Sequence, residues 1–180
     1  MDSFLLLNDS DKKVYFDVVA NELDVTPYLI EKDFWVCWAL KTLFSLPNTG
    51  SHLTFKGGTS LSKCYRIIKR FSEDIDVSIE RVFLTSQESI EPDSKQGANE
   101  NKRRLARLKQ ACQEKIADVV LPELKSKIKT SLSGIGTWEL KLDADDSDDQ
   151  TLLFNYPSVI ENDKSSYVKP VVKIEFGARS

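Results

Sequence analysis

The stretch from Leu53 to Ile79 limits what this chain can become more than any other part of it. Leu53-Thr54-Phe55 reads as a short strand and runs straight into a glycine pair, Gly57-Gly58. Helical spacing follows over about residues 60–69, with Leu61, Cys64, Tyr65 and Ile68 on one side. Then Ile75, Val77 and Ile79 alternate with Asp74, Asp76 and Ser78, which is the period of a strand. The expectation is a strand–turn–helix–strand unit whose last strand turns aliphatic side chains one way and two acids the other.

Alternation puts Asp74 and Asp76 on one face, roughly 6.5 Å apart along the backbone. Two ionised carboxylates that close repel, and one pKa rises unless a cation neutralises them. Mg²⁺ takes hard oxygen ligands of this kind. The glycine pair lets the backbone approach phosphate oxygens, and the helix behind it offers N–H groups that lack intrahelical partners. Thr59 and Ser60 add hydroxyls at that helix start, and Lys63, one turn in, reaches a β- or γ-phosphate. These parts make a seat for a nucleoside triphosphate and its metal, which nucleotidyl transfer to an attacking oxygen requires. Either signal alone is weak, because Gly-Gly turns and exposed Asp-x-Asp strands are common. Their combination, with Gly58 and Asp74 16 residues apart, is specific.

The rest of the chain predicts the setting. Ser10 caps a first helix to about Glu22, with Val14, Val18 and Val19 on one side. Thr26-Pro27 starts a second, from Tyr28 to about Phe44, apolar around most of its circumference and ended by Pro47-Asn48-Thr49-Gly50. A polar loop is expected over residues 85–101. A long amphipathic helix follows over about 99–129, striped by Leu105, Leu108, Cys112, Ile116, Val119 and Leu124 and kinked or split at Pro122. Strands are expected at Trp138–Leu142, Thr151–Tyr156 and Val171–Phe176, with an acidic turn between Asp143 and Asp149. The net charge of −3 gives no bulk signal for nucleic acid. There is no apolar run long enough for a membrane helix and no signal-peptide pattern at Met1–Leu7. Three scattered cysteines, Cys37, Cys64 and Cys112, predict free thiols, no zinc site and a cytoplasmic location.

Phe55-Lys56-Gly57-Gly58-Thr59-Ser60-Leu61-Ser62-Lys63 with Arg70-Phe71-Ser72-Glu73-Asp74-Ile75-Asp76 resembles the signature of the AbiEii/AbiGii toxin family. So do Glu31-Lys32-Asp33-Phe34-Trp35-Val36 upstream and Lys173-Ile174-Glu175 near the end. The resemblance implies an α+β fold with a mixed β-sheet flanked by helices, the polymerase-β-like nucleotidyltransferase core. It implies a Mg²⁺-dependent toxin that moves NMP from an NTP to an acceptor, RNA or tRNA, with a cognate antitoxin and no membrane partner. By the same resemblance Asp74 and Asp76 are the catalytic, metal-binding carboxylates, and Glu175 is the best match for a third; Glu139 and Asp143 are nearby alternatives. Gly57, Gly58, Thr59, Ser60 and Lys63 match the nucleotide-binding motif. Arg70 and Ser72 belong to it too, Arg70 either gripping a phosphate or pairing with Glu73, and Lys173 shares the face of Glu175. Family members continue into a largely helical C-terminal half, so residues 1–180 are expected to be the nucleotidyltransferase part of a longer protein.

Rival readings remain at this level. Lys173 and Glu175 also suit a solvent-exposed edge-strand pair. The fold also suits nucleotide sensing or protein association without transfer, or an antibiotic adenylyltransferase. The deciding feature is whether Glu175 faces the aspartates. His52 reads as a loop or strand-edge histidine. The cluster Lys102, Arg103, Arg104 and Arg107 suits either an RNA backbone or a solvated helix face. The aspartates of 143–149 lack the glycine and glutamate of a calcium loop.

Overall fold

The computed structural model describes residues 1–57, 74–85, 97–160 and 169–178. A four-residue helix, α1 (Asp2–Leu5), precedes α2 (Asp9–Leu23). Asn8 rather than Ser10 caps α2: its Oδ1 accepts the Asp11 N–H at 2.9 Å. The buried row of α2 is Lys12, Phe16 and Ala20, while Val14 and Val18 face solvent. Aromatic packing decides that rotation. The Phe16 ring meets Phe4 at 5.4 Å and Phe34 at 6.1 Å, which outweighs what two valines gain by burial.

Helix α3 (Pro27–Phe44) starts after Thr26 with proline in its first turn, as expected. Trp35, Val36, Trp38, Ala39 and Leu43 lie in the core, where each large side chain contributes about 1.5–3 kcal/mol. Trp35 and Trp38 pack on Phe154 at 6.0 and 5.7 Å. Glu31 is fully buried. Its carboxylate accepts the Ser158 hydroxyl at 2.6 Å and the Val159 N–H at 2.7 Å, so α3 anchors the segment that follows residue 157.

Five strands form one mixed sheet: β1 (Leu53–Lys56), β2 (Asp74–Ile79), β3 (Glu139–Leu142), β4 (Thr151–Asn155) and β5 (Val171–Ala178). Their spatial order is β1-β2-β5-β4-β3. Among the described residues only the β2–β5 pair is parallel; β1–β2, β4–β5 and β3–β4 are antiparallel. The architecture is therefore α+β with a mixed sheet and helices, as expected. The last strand is not an edge. It lies between β2 and β4, so the edge-strand reading of Lys173 and Glu175 is corrected.

Ile75, Val77 and Ile79 of β2 join Val172, Ile174 and Phe176 of β5 in the core. That fixes the opposite, polar face of both strands. A short helix, α4 (Arg81–Leu84), follows β2. The long helix begins at Ala98 and is indeed interrupted: α5 (Ala98–Lys115), a π-helical turn (Ile116–Val120) and α6 (Leu121–Ser131). Pro122 has no N–H to return to the Asp118 carbonyl, and its ring crowds that carbonyl, so the turn widens. The widening rotates the stripe. Val120 is buried where Val119 was expected, in series with Ile116, Leu124 and Ile128. Leu105 is exposed. Among the described residues no helix is long and apolar enough to cross a membrane.

Candidate active site

Parallel pairing of β2 with β5 sets Asp74 opposite Lys173 and Asp76 opposite Glu175. Antiparallel pairing of β1 with β2 sets Lys56 opposite Asp76, and pairing of β4 with β5 sets Thr151 opposite Glu175. Partners in register share a face of the sheet. One transverse row therefore runs Lys56, Asp76, Glu175, Thr151 across four strands, with Asp74 and Lys173 in the next row. Three acids from two adjacent strands thus share the polar face whose reverse is the hydrophobic core.

The glycine bend meets this row. Gly57 has φ +75°, a conformation glycine adopts without a Cβ penalty. A Cβ there would collide with Asp76, lying 2.5 Å from its Cγ and 2.8 Å from its Cβ. The missing side chain is thus the space the Asp76 carboxylate occupies.

Electrostatics mark the same residue. The Asp76 pKa is raised, first by burial and then by the charges of Glu175 and Asp74, while the Lys56 ammonium opposes the rise. Glu175 is engaged by Lys173 at 2.9 Å. That bond, more than the surrounding charges, holds the Lys173 pKa above its ordinary value. The donor set fits a divalent cation: hard oxygens on adjacent strands, with a charge repulsion at Asp76 that a cation would relieve. It is an open row rather than a finished cage, for among the described residues no three carboxylate, histidine or cysteine side chains cluster as metal ligands.

Of the alternative third acids, Glu139 stands apart, while Asp143 donates its backbone N–H to the Thr151 carbonyl at 2.9 Å, at the end of the row, and, behind the Glu175 hydrogen bond, its charge helps to raise the Lys173 pKa. Glu139 is on edge strand β3, paired with Lys141 at 2.7 Å. Asp143 follows β3 and accepts the Asp145 N–H at 3.1 Å. Within that turn Asp146 accepts hydrogen bonds from Thr151, Gln150 and Asp148, the first of which does most to lower its pKa. The loop is internally bonded. His52 precedes β1 at the end away from Gly57, stacked on Phe83 at 4.3 Å and bonded to Glu80 at 3.0 Å. Gly58, Thr59, Ser60, Lys63, Arg70 and Ser72 lie outside the described residues. Cys112 is a buried free thiol whose pKa that burial pushes up to about 11.

Lys56 is the member of the row that motif reasoning passed over. Its one sequence signal is its place immediately before Gly57. The register that sets it beside Asp76 is a long-range property.

The family model for the nucleotidyl transferase AbiEii toxin of type IV toxin–antitoxin systems matches residues 38–180. No curated protein and no solved structure matches the chain.

Proposed function

The chain belongs to the AbiEii family of nucleotidyl transferase toxins, and on that premise we propose that it transfers NMP from an NTP to a hydroxyl acceptor, using the row centred on Asp76. The observation that carries the reading is the register of Asp76 with Glu175, beside the bend at Gly57.

In this reading Asp74, Asp76 and Glu175 hold Mg²⁺, which when bound neutralises the acids and polarises the α-phosphate. Gly57 gives the phosphates close access to the backbone. Glu175 takes the proton of the attacking hydroxyl. The acceptor oxygen bonds to the α-phosphorus, the bond to the bridging oxygen breaks, and pyrophosphate leaves. Lys173 holds Glu175 by the 2.9 Å ion pair until the site is filled.

RNA, including tRNA, is the acceptor we favour. Lys102, Arg103 and Arg107 are exposed on α5, a cationic surface suited to a phosphate backbone. An antitoxin partner follows from the family's place in toxin–antitoxin systems, and the free thiol of Cys112 suits a reducing cytoplasm. The rival, nucleotide sensing without transfer, draws on the ion pair that already engages Glu175.

The test is incubation of the protein with each α-labelled NTP, Mg²⁺ and total RNA. Label should enter RNA with one or more NTPs, and Asp76→Asn should abolish it. Absence of label in RNA and protein alike, despite binding of Mg²⁺ and NTP, would favour the sensing reading.

A further inference from the structure

We propose that Lys56 binds the triphosphate in this site, its ammonium held close over Gly177; the proposal rests on the nucleotidyl-transfer reading. Three observations meet here. Lys56 is the register partner of Asp76, yet among the described residues its ammonium makes no ion pair, with Asp76 or with any other acid, within 4.0 Å. The Asp76 carboxylate likewise has no hydrogen-bond or ion-pair partner among the described residues. An exposed, unpaired ammonium beside an unpaired, half-buried carboxylate is an arrangement that leaves both charges available. It suits a ligand bearing both signs, a metal on the carboxylate and phosphate oxygens on the ammonium.

The second observation is where the ammonium goes. A Cβ built on Gly177 would lie 3.3 Å from Lys56 Nζ. The lysine of β1 therefore reaches across β2 to β5, and a side chain at 177 would crowd it. Gly177 is the register partner of Ser78. The third observation is Ser78 itself, 1% exposed, with a buried Oγ that has no hydrogen-bond partner. Closed off from solvent, that hydroxyl leaves one hydrogen bond unmet on the face that Lys56 crosses.

Lys56 is exposed, so its replacement leaves the core intact. The experiment compares the wild-type chain with Lys56→Met, Lys56→Arg, Gly177→Ala and Asp76→Asn. It measures Kd for Mg²⁺ with each NTP, for Mg²⁺ with inorganic triphosphate, and for the unphosphorylated nucleosides. Losing a charge-assisted contact to phosphate should weaken NTP and triphosphate binding by roughly tenfold to a hundredfold in Lys56→Met. Nucleoside binding should not change, Lys56→Arg should recover part of the loss, and Gly177→Ala should weaken phosphate binding while leaving Asp76 in place. A second measurement needs no variant: NTP with Mg²⁺ should protect Lys56 of the wild-type chain from amine acylation, read by mass spectrometry. If Asp76→Asn loses Mg²⁺–NTP binding while Lys56→Met retains it and Lys56 stays open to acylation, the Lys56 proposal falls and the transfer reading stands. If the wild-type chain binds no NTP, or Asp76→Asn binds as well as wild type, the transfer reading falls and takes this proposal with it.

Discussion

Asp76 and Glu175 face each other in register on adjacent parallel strands, although nearly the whole second half of the chain separates them in sequence. The register puts like charges side by side at the centre of the sheet. That arrangement costs stability in the free protein, and the cost is what a bound cation would remove.

The first prediction follows from that cost. The folded-state pKa of Asp76 is raised above 3.8, so the folded protein holds this proton more tightly than the unfolded chain. Stability is then greatest at low pH and falls as pH rises through the raised value, leaving the full penalty at neutral pH. Asp76→Asn should raise Tm by ~1–3 °C at pH 7. Mg²⁺ should raise the wild-type Tm and leave the variant unmoved. Thermal unfolding with and without MgCl₂ checks both, and a wild-type Tm indifferent to Mg²⁺ would count against the metal role.

Gly57 should tolerate no side chain. Gly57→Ala places a Cβ in the left-handed region and against the Asp76 carboxylate. The backbone strain costs about 1–2 kcal/mol and the clash adds to it. Urea unfolding should show a loss of about 2–3 kcal/mol. Mg²⁺ binding should weaken along with it, because the carboxylate must move. A variant as stable as wild type would show that the bend and Asp76 are not in contact.

Glu31 should link stability to pH in a separate part of the molecule. Burial raises its folded pKa above 4.5, against the pull of its bonds from Ser158 and Val159. Stability is thus fully present below 4.5 and declines as pH rises through the raised value. Glu31→Gln removes that slope and mimics the neutral acid, while Ser158 keeps the Ile160 carbonyl as an acceptor. The variant should be close to wild type in stability at low pH and gain on it as pH rises from about 4 to 7. Urea unfolding over that range measures it; a variant that loses ground to wild type as pH rises would contradict the assignment.

The π turn predicts a contrast between neighbours. Val120 is fully buried, and Val119 is partly exposed. Val120→Ala should cost about 2 kcal/mol and Val119→Ala less than about 1 kcal/mol. Equal losses, or the reverse order, would mean that the helix runs through Pro122 without the widened turn.

What the sequence determined by itself was local. Period-two alternation at Asp74–Ile79 and at Val171–Phe176 assigned each side chain to a face, because that period is set by the backbone of a single strand. Thr26-Pro27 marked a helix start for the same reason, and Pro122 marked a break. The motif resemblance named the acids. Tertiary structure decided everything that depended on which strand lies beside which. It put β5 in the interior of the sheet, set Glu175 rather than Glu139 beside Asp76, and put Lys56 into the row. It also turned α2 onto Phe16 instead of its valines, since the winning face of a helix depends on what its neighbours offer to bury. Local spacing fixes direction, but only the whole core, competing to exclude water, selects the partner.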